Sequence, residues 1–268
     1  MKLTMLGTGH ALVIECYNTC FLIEDNGKLF MTDCGGGNTI LRQIKLAGYD
    51  FRDIHNIFIT HKHVDHLLGV IWMVRMICHS MRHGEYNGDA YIYSHGEVLN
   101  LIRDISGKLL LPDEIKFIDK RLHLIEVFDG NSLEIIGHKF TFFDIQSSKA
   151  KQFGFCMEFD NKKLTCGGDE PFLTSRPALK KYAEKSDWLL HEAFCLYSQA
   201  DIFEPYEKHH STVKDACELA ERLGVKNLIL YHTEDKNLSK RTELYREEGL
   251  RYFKGSLFIP NDLETIEL

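Results

Sequence analysis

Short apolar runs bounded by turn residues predict β-strands in the first sixty residues. The runs cover residues 2–6, 19–24, 28–32 and 56–60. Asp25-Asn26-Gly27 separates the second run from the third, and Asn-Gly is a strong signal for a tight hairpin turn. The fourth run ends directly at His61. The pattern therefore predicts one hairpin and one strand whose end carries polar residues.

Helices and strands alternate in the pattern that follows. The apolar segment 67–81 predicts a buried helix of about four turns, and a helix capped by Ser211 or Thr212 should end at Gly224. Further strands are predicted at residues 90–94, 116–119, 122–127, 132–136, 138–145, 153–159, 163–167, 188–190 and 227–231. Because the two element types alternate in both halves, we expect two sheets with helices packed outside, in a single domain spanning 1–268.

Composition narrows the functional classes. Apolar residues form 44% and charged residues 26% of the chain, the ordinary globular mixture. The net charge of −7 argues against broad adhesion to nucleic acid through a basic surface. No apolar run approaches the ~18 residues of a membrane span, and residues 1–7 do not resemble a secretory signal. The eight cysteines form no CxxC pair, so we expect reduced thiols in a cytoplasmic protein without membrane contact.

The stretch from His61 to His66 carries the strongest chemical signal. It reads H-x-H-x-D-H, with His63 and Asp65 between the two ends. Three imidazoles and one carboxylate suit Zn²⁺, with Mn²⁺ or Fe²⁺ as alternatives. From the His and Asp frequencies of this chain, the motif would arise by chance ~0.003 times. The alternative, a polar helix cap, needs only one such residue.

H-x-H-x-D-H after a strand resembles the signature of the metallo-β-lactamase superfamily. The resemblance implies an α+β fold, a four-layer αββα sandwich, and extends from residue 2 to about 235. Asp33, in Thr-Asp-Cys-Gly, resembles the strand-end carboxylate that supports the site without binding metal. Asp169, in Gly-Gly-Asp, resembles the carboxylate that bridges two metals, and His232 resembles the last ligand.

Two further segments resemble the ribonuclease Z-like branch of that superfamily. His191-Glu192-Ala193-Phe194 is similar to its H-E-A-T/S segment, and His210-Ser211-Thr212 is similar to its H-S-T segment. The resemblance implies that Glu192 orients His210, which gives a proton to the leaving group. The structural alternative is a helix-start carboxylate and an unrelated surface histidine.

One expected ligand differs from the family pattern. Gln146 stands where the family has a histidine, and a neutral amide oxygen is a much weaker zinc ligand than imidazole. His138, on the same predicted strand, is an alternative donor. By resemblance, one metal site comprises His61, His63 and Asp169, and the other comprises Asp65, His66, Asp169 and His232. We therefore expect two metal sites, the first of them weak.

The implied function is that of a metal-dependent phosphodiesterase, a hydrolase in which Asp65 orients a metal-activated hydroxide. Alternatives are a lactone or thioester hydrolase and a degenerate metal-binding homologue weakened at Gln146. The expected substrate is a small-molecule or nucleotide phosphodiester. RNA is less favoured, because no tRNA-clamping arm fits before Asp169 and an acidic patch, Glu234-Asp235, follows His232. The sequence leaves open whether the protein forms a homodimer. A solvated strand edge accounts for the lysines at positions 149, 151, 162 and 163.

Overall fold

Two units, each with its own sheet, make up the fold in this computed structural model, which describes residues 1–171 and 177–268. The first unit comprises residues 1–7, 17–127 and 262–268. The second comprises residues 8–16 and 128–261. Each unit is described by itself below.

The first unit contains one seven-stranded sheet in the part of the chain that is described. Its strands are β1 (Lys2–Gly7), β2 (Cys20–Asp25), β3 (Lys28–Thr32), β4 (Asn56–Phe58), β5 (Ala90–Ser94), β6 (Leu122–Glu126) and β14 (Thr265–Glu267). Its α-helices are α1 (Thr39–Leu46), α2 (Val64–His83), α3 (Gly96–Leu109) and α4 (Pro112–Ile115). The order is β14-β1-β2-β3-β4-β5-β6, antiparallel from β14 to β3 and parallel from β3 to β6.

The second unit, as far as it is described, also has a seven-stranded sheet. Its strands are β7 (Ser132–Ile135), β8 (His138–Asp144), β9 (Phe153–Phe159), β10 (Lys162–Cys166), β11 (Trp188–Glu192), β12 (Asn227–Tyr231) and β13 (Ser256–Phe258). Its α-helices are α5 (Pro177–Ala183), α6 (Ala200–Phe203), α7 (Val213–Leu223) and α8 (Arg241–Gly249). The order is β13-β12-β11-β10-β9-β8-β7, with parallel pairing from β10 to β13.

Local sequence explains several element boundaries. Asn26 and Gly27 have φ of 50° and 75°, the left-handed pair that a two-residue hairpin requires, so the predicted hairpin is confirmed. Helix α7 begins after Thr212, whose hydroxyl accepts from the backbone N–H of Asp215, and ends at Gly224 with φ of 66°. Thr212 is therefore the cap that the sequence left undecided.

Each unit buries its own apolar core. In the first, side chains of α2 such as Val70 and Val74 are fully buried with Ile57 of β4. In the second, Ala216 of α7 packs in one cluster with Leu228 of β12. Among the described helices, none has the length and apolar character needed to cross a bilayer.

The predicted strand at 116–119 is wrong. The backbone N–H groups of Phe117 and Ile118 donate to the carbonyls of Glu114 and Ile115, which continues the turn of α4 instead of an extended chain. The sequence pattern also does not indicate helix α3. Both errors lie in the connection between the parallel strands β5 and β6. A helix or a strand in such a connection can bury the same apolar residues, so the pattern does not distinguish them.

Helix α2 approaches the loop after β3 closely at Gly69. The N–H of Gly69 donates to the Gly35 carbonyl at 2.8 Å, and the Cys34 N–H donates to the His66 carbonyl at 3.1 Å. A Cβ at position 69 would lie 1.8 Å from the Cys34 carbonyl oxygen. Only glycine permits this contact, which fixes the first turns of α2 against the end of β3.

Replacement of Gly69 by alanine should therefore destabilise the fold. We expect Gly69→Ala to lower the free energy of unfolding by about 3 kcal/mol, because backbone must move to admit the methyl group. Gly107→Ala is the matched control in α3. No atom lies within 4 Å of its added Cβ, so helix propensity should raise stability by about 0.5–1 kcal/mol. Urea denaturation measures both, and equal stability of Gly69→Ala and the native chain would contradict the prediction.

Candidate active site

In the first unit, the polar residues of the motif lie at the carboxyl ends of parallel strands. Asp33 directly follows β3, and His61 lies three residues beyond the end of β4. Helix α2 then begins at Val64, with His63 as its N-cap residue. Because neighbouring parallel strands end at the same edge of a sheet, these side chains share one place in the unit.

The carboxylate of Asp33 organises this cluster. It accepts hydrogen bonds from the Thr60 N–H at 2.8 Å and from the Thr60 hydroxyl at 2.9 Å. Its Oδ2 also lies 2.8 Å from Nδ1 of His66. Asp33 has φ of 56°, a left-handed conformation that costs free energy in a residue with a Cβ. The three contacts hold Asp33 there.

The imidazoles of His61 and His63 converge. Nε2 of His61 lies 2.8 Å from Nδ1 of His63, while Nδ1 of His61 lies 2.9 Å from the Thr60 hydroxyl. The His61 side chain is buried, and His63 is half-buried. Two ring nitrogens this close can serve as ligands of a single ion.

Asp65 and His66 form the second half of the cluster. Oδ2 of Asp65 lies 3.3 Å from Nε2 of His66, and both side chains are buried. Burial alone would lower the pKa of His66, but the carboxylates of Asp65 and Asp33 outweigh it and raise that pKa well above its usual value. The same negative field favours a divalent cation. Nitrogen and oxygen donors of this kind fit zinc or a similar metal.

In the second unit, three functional side chains also follow parallel strands. Glu192 is the last residue of β11, and His232 directly follows β12. Asp169 lies three residues after the end of β10. His232 adopts φ of 58°, so its backbone turns sharply where the strand ends.

Glu192, which is buried, and His210, whose side chain is 12% exposed, form an acid–imidazole pair. Oε2 of Glu192 lies 2.7 Å from Nδ1 of His210, and Oε1 accepts from the Ser211 N–H at 2.8 Å. The His210 ring stacks on Phe194 with centroids 5.0 Å apart. Burial raises the pKa of the Glu192 carboxyl, against the opposing charge of His232. A proton held between Glu192 and His210 is therefore stabilised.

Asp169 and His232 lie near one another in the same unit. Oδ2 of Asp169 is 3.6 Å from Nε2 of His232, and both side chains are buried. Oδ1 of Asp169 accepts a hydrogen bond from the Gln152 amide. Glu192, His210 and His232 each offer a ligand atom within 4.8 Å of the others. These three side chains lie close enough together to hold a cation.

Gln146 differs from the buried residues. Its side chain is exposed, its φ is 58°, and its N–H donates to Asp144 at the end of β8. His138 begins β8 and lies at the opposite end of that strand, so it does not replace the missing histidine. The role of Gln146 as a degenerate ligand position stays a prediction.

Sequence reasoning missed the surroundings of Asp169. The sequence pattern predicts a solvated strand edge for Lys149, but its side chain is only 15% exposed and its Nζ lies 3.7 Å from Oδ2 of Asp169. No feature of the sequence distinguishes Gln152. Neither residue belongs to a motif, and the pattern of a loop does not indicate which of its side chains turn inward.

A family model described as Anti-Pycsar protein Apyc1 matches residues 1–253. The chain belongs to this family. Ribonucleases Z are also among its relatives. The chain is 27% identical to the ribonuclease Z of Archaeoglobus fulgidus, and the match covers 100% of this chain and 97% of that protein. It is also 27% identical to that of Streptococcus gordonii, covering 100% of both.

Solved structures agree on the fold of this Apyc1 family member. The metallo-β-lactamase fold protein YhfI from Bacillus subtilis matches with a TM-score of 0.79 and 17% identity, covering 99% of this chain and 98% of that one. The short form of human tRNase Z matches with a TM-score of 0.75 and 20% identity, covering 100% and 99%. The predicted α+β fold of the metallo-β-lactamase type and the ribonuclease Z-like resemblance are confirmed. The predicted enzyme class, a metal-dependent hydrolase of phosphodiesters, agrees with these relatives.

Loss of the Asp33 carboxylate should weaken metal binding. Asp33→Asn removes the charge that orients the His66 ring, and such supporting groups contribute about 10–100-fold to metal affinity. Isothermal titration of metal-stripped protein with Zn²⁺ measures this loss. Asp53→Asn, an exposed carboxylate in the same unit, is the control and should bind as the native chain does. Unchanged affinity in Asp33→Asn would show that Asp33 has no part in metal binding.

Proposed function

We propose that this chain is a metal-dependent phosphodiesterase that cleaves a small nucleotide phosphodiester. The observation that carries the proposal is the Glu192–His210 pair. Oε2 of Glu192 lies 2.7 Å from Nδ1 of His210, so Nε2 is on the opposite side of the imidazole ring. An imidazole held in this way by a buried carboxylate is suited to proton transfer. The confirmed fold and the full-length similarity to ribonucleases Z support the same class of reaction.

We infer the metal ligands from the motif and the two donor clusters. His61 and His63 with Asp169 would hold one ion. The other ion would be held by Asp65, His66, Asp169 and His232. A bound divalent ion supplies Lewis acidity and a nucleophilic hydroxide at neutral pH. Zinc is the preferred metal, because imidazole nitrogens dominate this set of donors.

Side chains of the protein then donate and accept the protons of the reaction. Nδ1–H of His210 donates to Glu192, so Nε2 can carry the proton that the departing oxygen takes up. Asp65, besides binding metal, offers a carboxylate oxygen that accepts a hydrogen bond from the attacking water. Phe194, stacked on the His210 ring, restricts the ring to one orientation.

A small substrate is favoured over RNA. The residues between Gln146 and Asp169 form a short loop and the paired strands β9 and β10, with no inserted arm. The two acidic residues counted against RNA in the sequence hold hydrogen bonds within the protein, however. Glu234 is buried and accepts from Asn237, and Asp235 accepts from two backbone N–H groups of the loop 8–16.

Hydrolysis of a lactone or thioester is less well supported, because the relatives matched over the full chain are ribonucleases Z. A thioester would also release a thiolate, which needs no dedicated proton donor. A metal-binding homologue without turnover is the remaining alternative, motivated by Gln146. The choice of zinc, a cytoplasmic location, a homodimer and the single domain 1–268 stay predictions.

Metal-dependent turnover is the decisive test. Protein reconstituted with Mn²⁺ or Zn²⁺ should hydrolyse bis(p-nitrophenyl) phosphate, and chelation or His63→Ala should abolish this. His83→Ala, an exposed histidine at the end of α2, should retain full activity. Cyclic and linear nucleotide diesters should be cleaved faster than a precursor tRNA. Bound metal without any turnover would favour the degenerate homologue, and faster cleavage of the tRNA would overturn the small-substrate proposal.

The general-acid role of His210 can be tested with leaving groups of different basicity. His210→Ala should slow release of a nucleoside alkoxide by about 10²–10⁴-fold, because that oxygen needs a proton as it departs. Release of p-nitrophenolate, a stable anion, should change much less. His209→Ala, the adjacent exposed histidine, is the control. Equal slowing for both leaving groups would exclude the general-acid role and show that His210 has a structural role instead.

A further inference from the structure

Lys149 lies among the carboxylates of the second unit. Its Nζ donates to the backbone carbonyl of Asp169 at 3.0 Å and lies 3.7 Å from Oδ2 of the same residue. Oε2 of Glu170 is 3.9 Å away. Only 15% of the lysine side chain is exposed, so solvent screens its charge weakly. The ammonium is thus a fixed positive charge beside a proposed metal ligand.

Hydrogen bonds to Glu170 and Ser147 fix the loop that carries Lys149. Glu170, itself buried, accepts from the Ser147 hydroxyl at 2.8 Å. It also accepts from the N–H and hydroxyl of Ser148 at 3.1 and 3.0 Å. The Lys149 N–H donates to the Ser147 hydroxyl at 3.1 Å. These bonds fix the backbone on both sides of the lysine, unlike that of a freely moving surface residue.

Position and charge together affect how Asp169 can bind cations. An ammonium a few ångströms from a carboxylate satisfies part of its charge and repels any further cation nearby. The other carboxylate oxygen of Asp169 accepts from the Gln152 amide. Within the second unit, both carboxylate oxygens of Asp169 therefore already lie beside polar groups of the protein.

We infer that Lys149 is a positioning residue that holds the Asp169 carboxylate beside His232 and lowers the affinity of Asp169 for a divalent ion. This inference rests on the proposed function, because it assumes the same metal ligands. Lys149 supplies one positive charge beside Asp169 before any ion binds. A divalent ion that uses Asp169 as a ligand is therefore bound more weakly than it would be without the lysine.

Removal of the charge should strengthen metal binding by Asp169. We expect Lys149→Met to bind Zn²⁺ with ~10-fold or greater gain in affinity over the native chain. Lys149→Arg, which keeps the charge, should load like the native chain. The control is Lys151→Met, an exposed lysine in the same loop. Native mass spectrometry counts the ions, and isothermal titration measures each affinity.

A merely structural lysine would give the opposite result, since a disordered loop can only lose metal. Unchanged or weaker loading in Lys149→Met therefore overturns the inference. Lys149→Gln, which retains a donor for the Asp169 carbonyl, repeats the test with less disturbance. If neither variant folds, Lys149 is structural and the inference is also overturned. Failure of the proposed function is a separate result, namely native protein that binds metal without hydrolysing any phosphodiester.

Discussion

The carboxylate of Asp33 joins three parts of the first unit. It binds the backbone and hydroxyl of Thr60 beyond β4 and the ring of His66 in α2, while its own backbone ends β3. Thr60 in turn contacts Nδ1 of His61. Hydrogen bonds to a buried charge are each worth about 1.5–3 kcal/mol. The orientation of two proposed ligands therefore depends on one side chain, and the strained φ of Asp33 shows that the fold tolerates a local cost for it.

Glu192 has a comparable part in the second unit, but with a different chemical result. Both carboxylates are buried and both hold Nδ1 of a histidine at 2.7–2.8 Å. Asp33 turns the other nitrogen of His66 toward Asp65, within a cluster suited to a cation. The proposed role of His210, held by Glu192, is instead proton transfer through Nε2. The proposal thus assigns metal binding to one carboxylate–imidazole contact and acid catalysis to the other.

The extent to which the sequence predicted this site follows from the range of each interaction. His61, His63, Asp65 and His66 are close in sequence and lie at a strand end, so spacing alone indicated a metal site. Glu192 and His210 are 18 positions apart, and only the resemblance to a family indicated that they pair.

Lys149 could not be found in either way. Its burial depends on Glu170, which pulls the loop inward, and no periodic pattern records that contact. The same holds for Gly69, because its apolar neighbours predict a helix but not the carbonyl that meets it.

The acidic residues after His232 show why net charge is a poor guide to the substrate. A charge of −7 and the run Glu234-Asp235 both suggest a surface that repels polyanions. Glu234 instead holds Asn237, and Asp235 holds the backbone of residues 14 and 15, which lowers the pKa of its carboxyl despite partial burial. Carboxylates used in this way shape the loops of the second unit and repel distant phosphates little. The proposed preference for a small diester therefore rests on the short segment between Gln146 and Asp169 and not on the charge of the protein.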